Sequence, residues 1–336
     1  MISALMGQRT PRPPVWFMRQ AGRYMSEYRE LRKKHSFMEL CHEPDLATEI
    51  TLQPICSFDM DAAIFFCDIL VTAEALGSQV DIIEKRGPVI ANPFRLSSDL
   101  DQLLSSEEAM GKLEYTSKAL RQIRGALSED KALLGFVGAP LTVASYMVEG
   151  GSSSSVPTVF RMIAEEPKLF QGLMERLTDL SILYIESQRN AGVDAVQIFE
   201  SWASLLPLPI YREHVFPHLK RLVEATHHPE KPLILFALAQ QPLWDLLGTL
   251  PVHALSLGHG LSLTGMRDRF PGKALQGNLD SRFLLCEKET LLKAADDILE
   301  EMSNQPGYIF NLGHGITPPT PEDHIAALVE RVRQFG

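Results

Sequence analysis

No stretch of this sequence is long and apolar enough to cross a membrane. The longest apolar runs fall far short of the ~18 residues a spanning helix needs, and the mean hydropathy is -0.03. Positive charge is scarce as well: 32 Lys and Arg stand against 42 Asp and Glu, a net charge of -10. A chain with no basic excess cannot neutralise a run of phosphates, so a nucleic-acid partner is not expected. Cysteine is rarer still. The four, Cys41, Cys56, Cys67 and Cys286, show no CxxC or CxxH spacing, which leaves reduced thiols and not a disulfide framework. No HExxH or His-x-Cys occurs, no GxGxxG or GxxxxGK[ST] follows an apolar run, and no lysine ends one. Catalytic zinc, dinucleotide, P-loop and Schiff-base chemistries therefore lack their residues. The N-terminus MISALMGQRTPRPP has no basic n-region and no long h-region, so a cytoplasmic protein with no membrane partner is expected.

What the chain does have is repetition. Eight short apolar runs recur: Val15–Met18, Ala62–Cys67, Leu133–Val137, Ala195–Phe199, Pro232–Ala237, Ala254–Leu257, Ala274–Gln276 and Tyr308–Leu312. Amphipathic segments such as EEAMGKLEYTSKALRQIRGAL and PEDHIAALVERVRQF lie between them. Runs apolar on both faces and alternating with helices predict a parallel sheet covered by helices. Eight of them in 336 residues predict a single-domain α/β protein, a closed (β/α)8 TIM barrel over residues 1–336. Length beyond a typical barrel falls into insertions after the second and third strands, around residues 70–130 and 141–190. The run Gly150-Gly151 followed by Ser152–Ser155 reads as a loop, slack in preference to a lid.

In such a barrel the site lies at the C-terminal ends of the strands. The residues there are Arg19, Asp68, Gly138-Ala139-Pro140 with Tyr146, Glu200-Ser201, His259, Asn278 with Asp280, and His314, whereas Leu238 makes the end of the fifth strand inert. In PVWFMRQAGRY, two arginines, Arg19 and Arg23, leave an apolar run with Gly22 between them. Most arginines are surface residues, but guanidinium forks at this position point to a clamp for carboxylate or phosphate. Arg32, one helix further on, fits a solvated face equally well. Asp68 follows an apolar run in which a carboxylate is costly unless partnered. A helix N-cap and a functional carboxylate both account for its position. His314 is flanked by glycines, which favours ligand contact over a structural role.

Taken in order from residue 14 to residue 315, RQAGRY, FFCDILV, GFVGAPLTVASYMVEG, IFES, LQGNLD and LGHG resemble the uroporphyrinogen decarboxylase family. The resemblance implies a (β/α)8 barrel, usually a homodimer, that converts the four acetate arms of uroporphyrinogen III to methyl groups. The product is coproporphyrinogen III, on the way to haem, and neither metal nor organic cofactor is implied. By the same resemblance Arg19 and Arg23 hold substrate carboxylates, Gln20, Ala21 and Gly22 lend backbone contacts, and Phe37 flanks them. Asp68 stands at the centre of the cleft and stabilises a protonated pyrrole; Tyr146, Ser201 and His314 line it. The chain departs from the family pattern at Leu141, Leu238, Gly258-His259 and Ser281. Two other readings are a corrinoid-linked methyltransferase of the same fold, which needs a zinc thiolate site, and a non-catalytic tetrapyrrole-binding protein.

Overall fold

The computed structural model describes residues 1–83 and 86–335. In chain order the strands are β1 (Ala62–Ile64), β2 (Val80–Ile83), β3 (Gly87–Ile90), β4 (Ala132–Gly138), β5 (Ala195–Glu200), β6 (Leu233–Ala237), β7 (Ala254–Leu257), β8 (Ala274–Gln276) and β9 (Tyr308–Ile309). Seven of these form one parallel sheet in the order β1-β4-β5-β6-β7-β8-β9. All seven residues of β4 and all five of β6 are buried. That follows from their sequences, which carry apolar or small residues at both parities, so both faces can be covered.

The sheet curls. Gln276 of β8 donates from Nε2 to Gln197 Oε1 of β5 at 2.8 Å and to Ser256 Oγ of β7 at 2.8 Å. Trp16 Nε1 donates to Gln276 Oε1 at 2.9 Å. In a flat sheet β5 and β8 would lie about 14 Å apart at ~4.8 Å per strand. Their side chains meet because the inner face is concave. In the buried polar layer they form, the Gln276 amide is paired at both ends, whereas Gln197 Nε2 has no partner among the described residues.

The expected first strand, Val15–Met18, is corrected: it makes only an isolated parallel bridge, Val15 with Phe310. Pro13 and Pro14 supply no N–H donors, and side chains replace the ladder along this stretch. Val15 N donates to Asp61 Oδ2 at 2.7 Å, Phe17 N to Gln20 Oε1 at 3.1 Å and Met18 N to Asn311 Oδ1 at 3.3 Å. Backbone bonds still tie the segment to both edges of the sheet, Phe310 N to Pro14 O and Asp61 N to Val15 O, each 2.9 Å. Arg12 forks onto Asp61 at 2.7 and 2.8 Å and holds that carboxylate in place.

The stretch between β1 and β4 carries the β2–β3 hairpin, which the apolar-run count does not anticipate because its residues are only half buried. The Gly150-Gly151 loop is not slack. Gly151 pairs antiparallel with Val89, and Ile90 N donates to Gly150 O at 3.0 Å. A Cβ on Gly151 would lie 2.8 Å from the Pro88 carbonyl, so only glycine lets the hairpin dock this closely. Among the described residues no helix is long and apolar enough to cross a membrane.

Candidate active site

A cavity of roughly 540 Å³ opens at the C-terminal ends of the strands. Ligand sites typically span ~300–1,000 Å³. Every binding residue expected from sequence lines it: Arg19, Gln20, Ala21, Gly22, Arg23, Phe37, Asp68, Tyr146, Ser201 and His314. Other rim residues lie elsewhere. His259 is exposed, Asn278 donates to the carbonyls of Gly258 and Leu261, and Asp280 pairs with Arg282 at 2.5 Å. Arg32 is not among the lining residues and donates to the His35 carbonyl.

Arg19 occupies a left-handed backbone position, φ 60°, which costs a non-glycine residue about 1–2 kcal/mol. The conformation turns the chain sharply at the end of the Val15 segment and directs an arginine to the cavity mouth. Its side chain lies over Gly315, where an added Cβ would come 2.5 Å from Arg19 Cδ. The glycine after His314 therefore makes room for an arginine. The glycine before it, Gly313, packs on the His259 backbone, with an added Cβ only 2.3 Å from His259 N. Arg12 and Arg29 have acidic partners, Asp61 and Glu322. Among the described residues, no carboxylate lies within salt-bridge distance of Arg19 or Arg23.

The Gln20 side chain is committed to the scaffold. It accepts from Phe17 N at 3.1 Å and donates to Ala62 O at 2.9 Å, while Tyr24 Oη donates to its carbonyl at 2.6 Å. Those three bonds brace the Arg19–Arg23 loop against β1, and the Gln20 N–H donates to the Phe17 carbonyl at 3.1 Å. Gln20 therefore shapes the loop, and its main chain, expected to lend contacts, is already engaged.

Asp68 is half-buried and accepts from Leu70 N at 2.8 Å. This is an i to i+2 side-chain turn and not a helix cap, since the following helix, Val71–Leu76, has Leu70 at its N-cap position. Burial pushes the Asp68 carboxyl above its ordinary value, the Leu70 N–H and the Arg19 charge pull it back, and Glu74 pushes it further up. The Tyr146 hydroxyl is also raised, first by burial and then by the Asp68 charge, so it stays a proton-bearing donor. His314 moves the other way: burial, then the Arg19 charge, lowers it and favours the neutral imidazole.

Several lining residues escaped the sequence reading. Phe136, Phe199 and Phe236 make an apolar floor, with ring centroids 5.7 Å apart for the first pair and 5.6 Å for the second. A signal was present, because each phenylalanine sits one or two residues short of the end of β4, β5 or β6. Leu238 is not inert; it extends this floor. Ser152 and, from the hairpin, Ile82, Gly87 and Pro88 close one side, and only tertiary docking brings them there. Trp202 packs against Tyr146, with ring centroids 4.3 Å apart and planes tilted by 37°.

Behind the lining, Glu200 at the end of β5 is fully buried, and burial lifts it to about 8 against contacts with Thr142, the Trp202 N–H and Tyr211. Folded protein thus holds a proton that the unfolded chain releases near the ordinary value of 4.5, so this group's contribution to stability falls as pH rises from there to about 8. Glu200→Gln removes that titration. Its melting temperature relative to wild type should climb between pH 5 and pH 8, and a constant difference across that range would refute the assignment.

Among the described residues no three His, Cys, Asp or Glu side chains are grouped to hold a metal ion. The sequence profile described as "Uroporphyrinogen decarboxylase (URO-D)" matches residues 1–335. A uroporphyrinogen decarboxylase from Desulfotalea psychrophila is 38% identical over 337 residues, covering 100% of this chain and 98% of that protein. One from Coxiella burnetii is 41% identical over 343 residues, covering 100% and 94%. Among solved structures, a methyltransferase from Methanosarcina mazei superposes with a TM-score of 0.84 at 20% identity, covering 99% of this chain and 97% of that one, which shows a common fold. Matched along its whole length by profile and relatives, the chain belongs to the uroporphyrinogen decarboxylase family.

Proposed function

We propose that this protein decarboxylates the four acetate arms of uroporphyrinogen III to methyl groups, giving coproporphyrinogen III. One observation carries the residue assignment: the cavity has two arginines without acidic partners at its mouth, yet the single carboxylate among its described lining residues, Asp68, lies within. A substrate with eight carboxylates needs the cations. It would be repelled by Asp68 unless that group faces a part of the substrate that is, or becomes, positive.

The chemistry supplies such a part. Protonating a pyrrole at its α-carbon makes the ring cationic, and the ring then accepts the electron pair released as the acetate C–C bond breaks and CO₂ leaves. Asp68 accepts hydrogen bonds from the pyrrole N–H groups and stabilises that cation, which is electrostatic preorganisation with the sign opposite to an oxyanion hole. Arg19 and Arg23 hold the carboxylates of neighbouring arms. The α-carbon then gives up the proton it had gained and the exocyclic carbon takes one up to become the methyl group, which rearomatises the ring for the next turn. Arginine, with a pKa above ~12, is a poor acid, so we assign that proton to water. The floor of Phe136, Phe199, Phe236 and Leu238 matches a ring system that grows more apolar with each CO₂ lost.

The same reading takes Val15–Met18, first in chain order, as the stave that completes a closed (β/α)8 barrel, the long segments after β1 and β4 as insertions, and the working form as a cytoplasmic homodimer. Support for closure comes from the bonds of this segment to both sheet edges.

The test is anaerobic incubation of purified protein with uroporphyrinogen III and separation of products by carboxylate number. Hepta- to tetracarboxylate species should form, and unchanged octacarboxylate would overturn the function. Turnover should survive chelator treatment because the pyrrole is its own electron sink; activity lost to a chelator and restored by zinc would overturn that mechanism. His259→Ala should keep turnover within about twofold, since His259 lies outside the cavity lining, whereas His314→Ala should lose about tenfold. The reverse ranking would move part of the site to the loop after β7.

A further inference from the structure

Glu200 is the buried carboxyl that the proposed mechanism leaves unused. It closes β5, its side chain is shut off from solvent, and Thr142 Oγ1 donates to its Oε1 at 3.1 Å. The same Thr142 oxygen accepts from the Ser201 N–H at 3.0 Å. Thr142 has one proton to give, and giving it to Glu200 leaves its lone pairs to receive Ser201. Thus Glu200 fixes which way the threonine points, and the threonine fixes the backbone of a cavity-lining residue. Thr142 belongs to the Pro140–Glu149 helix, and Tyr146 is four residues further along it, on the same face. Tyr146 packs at a tilt of 37° against Trp202, the residue after Ser201, with ring centroids 4.3 Å apart. The helix and the end of β5 are therefore joined twice, by a buried hydrogen-bond chain and by a tilted aromatic contact. On a further side lies the buried Tyr211 hydroxyl of the helix Leu208–His214, which, like Glu200 Oε2, has no hydrogen-bond partner among the described residues.

From this geometry we propose that Glu200 and Thr142 are positioning residues, a clamp that sets Ser201 and Tyr146 against the substrate opposite Asp68. The inference rests on the proposed decarboxylase reading. Neither residue lines the cavity, so both act through those that do.

A buried carboxyl could instead serve the fold alone, and the two roles differ in kinetics. Thr142→Val keeps the shape of the side chain and removes the bond to Glu200 and the acceptor for Ser201. KM for uroporphyrinogen III should rise about tenfold while kcat stays within about twofold, because binding groups are misplaced while Asp68 is untouched. Thr142→Ser restores the hydroxyl and should bring KM back to within about twofold of wild type. Ser201→Ala should raise KM in the wild-type background but add nothing in the Thr142→Val background, since residues acting through one another are not additive. Thr142→Ala takes the place of Thr142→Val if the latter does not fold. Additive KM effects, or a Thr142→Val protein with altered melting temperature and normal KM, would reduce the clamp to a stabilising contact. If wild type itself leaves uroporphyrinogen unchanged, the decarboxylase reading falls and takes the clamp with it; an active wild type with indifferent Thr142 variants overturns the clamp alone.

Discussion

Asp68→Asn should fold normally and turn over about 10²–10³-fold more slowly than wild type, the loss expected for removing one preorganised electrostatic contact, ~3–4 kcal/mol, from a transition state. Asparagine keeps the oxygen that accepts from Leu70 N at 2.8 Å, so the turn into the Val71–Leu76 helix survives. What disappears is the charge. Since burial raises the Asp68 carboxyl, the folded protein binds its proton more tightly than the unfolded chain does. Stability from this group is present below the ordinary carboxylate range and declines as pH rises through it. The Asn variant escapes that decline and should melt at or above the wild-type temperature at neutral pH. Slower chemistry in an equally or more stable protein is the signature of a catalytic carboxylate. The acid limb of the wild-type rate should lie above the ordinary carboxylate range, in line with the raised carboxyl, and should vanish in the variant. Asp68→Glu retains the charge about one methylene out of place and should fall between the two. A fully active Asn variant would leave Asp68 as a turn former and remove the centre of the mechanism.

Arg19→Gly should weaken binding of the octacarboxylate by about 10–150-fold, the equivalent of one lost charge-assisted contact at ~1.5–3 kcal/mol. The same variant should be about 1 kcal/mol more stable, because glycine adopts φ 60° without the Cβ penalty that arginine bears there. Arg19→Ala should lose the affinity without gaining the stability. Titration of a non-reacting octacarboxylate porphyrin gives the affinities and thermal melts give the rest. Arg23→Ala should show an affinity loss of the same class, and for both arginines the gap from wild type should widen at low salt, where long-range attraction is least screened. Wild-type affinity in either arginine variant defeats the clamp. An Arg19→Gly protein less stable than wild type would mean that the side-chain contact with Gly315 outweighs the backbone strain.

Periodicity made most of the scaffold legible. The runs at Ala254–Leu257 and Ala274–Gln276 coincide with β7 and β8, β5 and β6 differ from expectation by a residue at one end, and β4 by a residue at each end. Such runs are readable because strands buried on both faces leave no polar alternation, and the helices between them carry a 3.6-residue pattern. Shorter pairing is less readable. Tyr308–Leu312 yields only Tyr308–Ile309 as strand, with Leu312 bridged separately to Leu279. The Val15 segment hides its pairing because prolines remove donors and Asp61, Gln20 and Asn311 supply the bonds from afar.

By itself the sequence determined the class of the fold, the end of the sheet at which the cavity opens, and the ten residues expected to line it. The first two follow from burial pattern and from the position of a residue after a strand, and the ten residues follow from the family resemblance. Tertiary structure alone decided what each of those residues can do. Gln20 is spent on Phe17 and Ala62, Gly315 serves Arg19, Asp68 turns a loop with Leu70, and Ser201 hangs from Thr142. Distances through space between residues remote in the chain set these partnerships. A hydrogen bond or a carboxyl raised by burial depends on which groups the curled sheet brings within about 3 Å, a quantity no local pattern encodes.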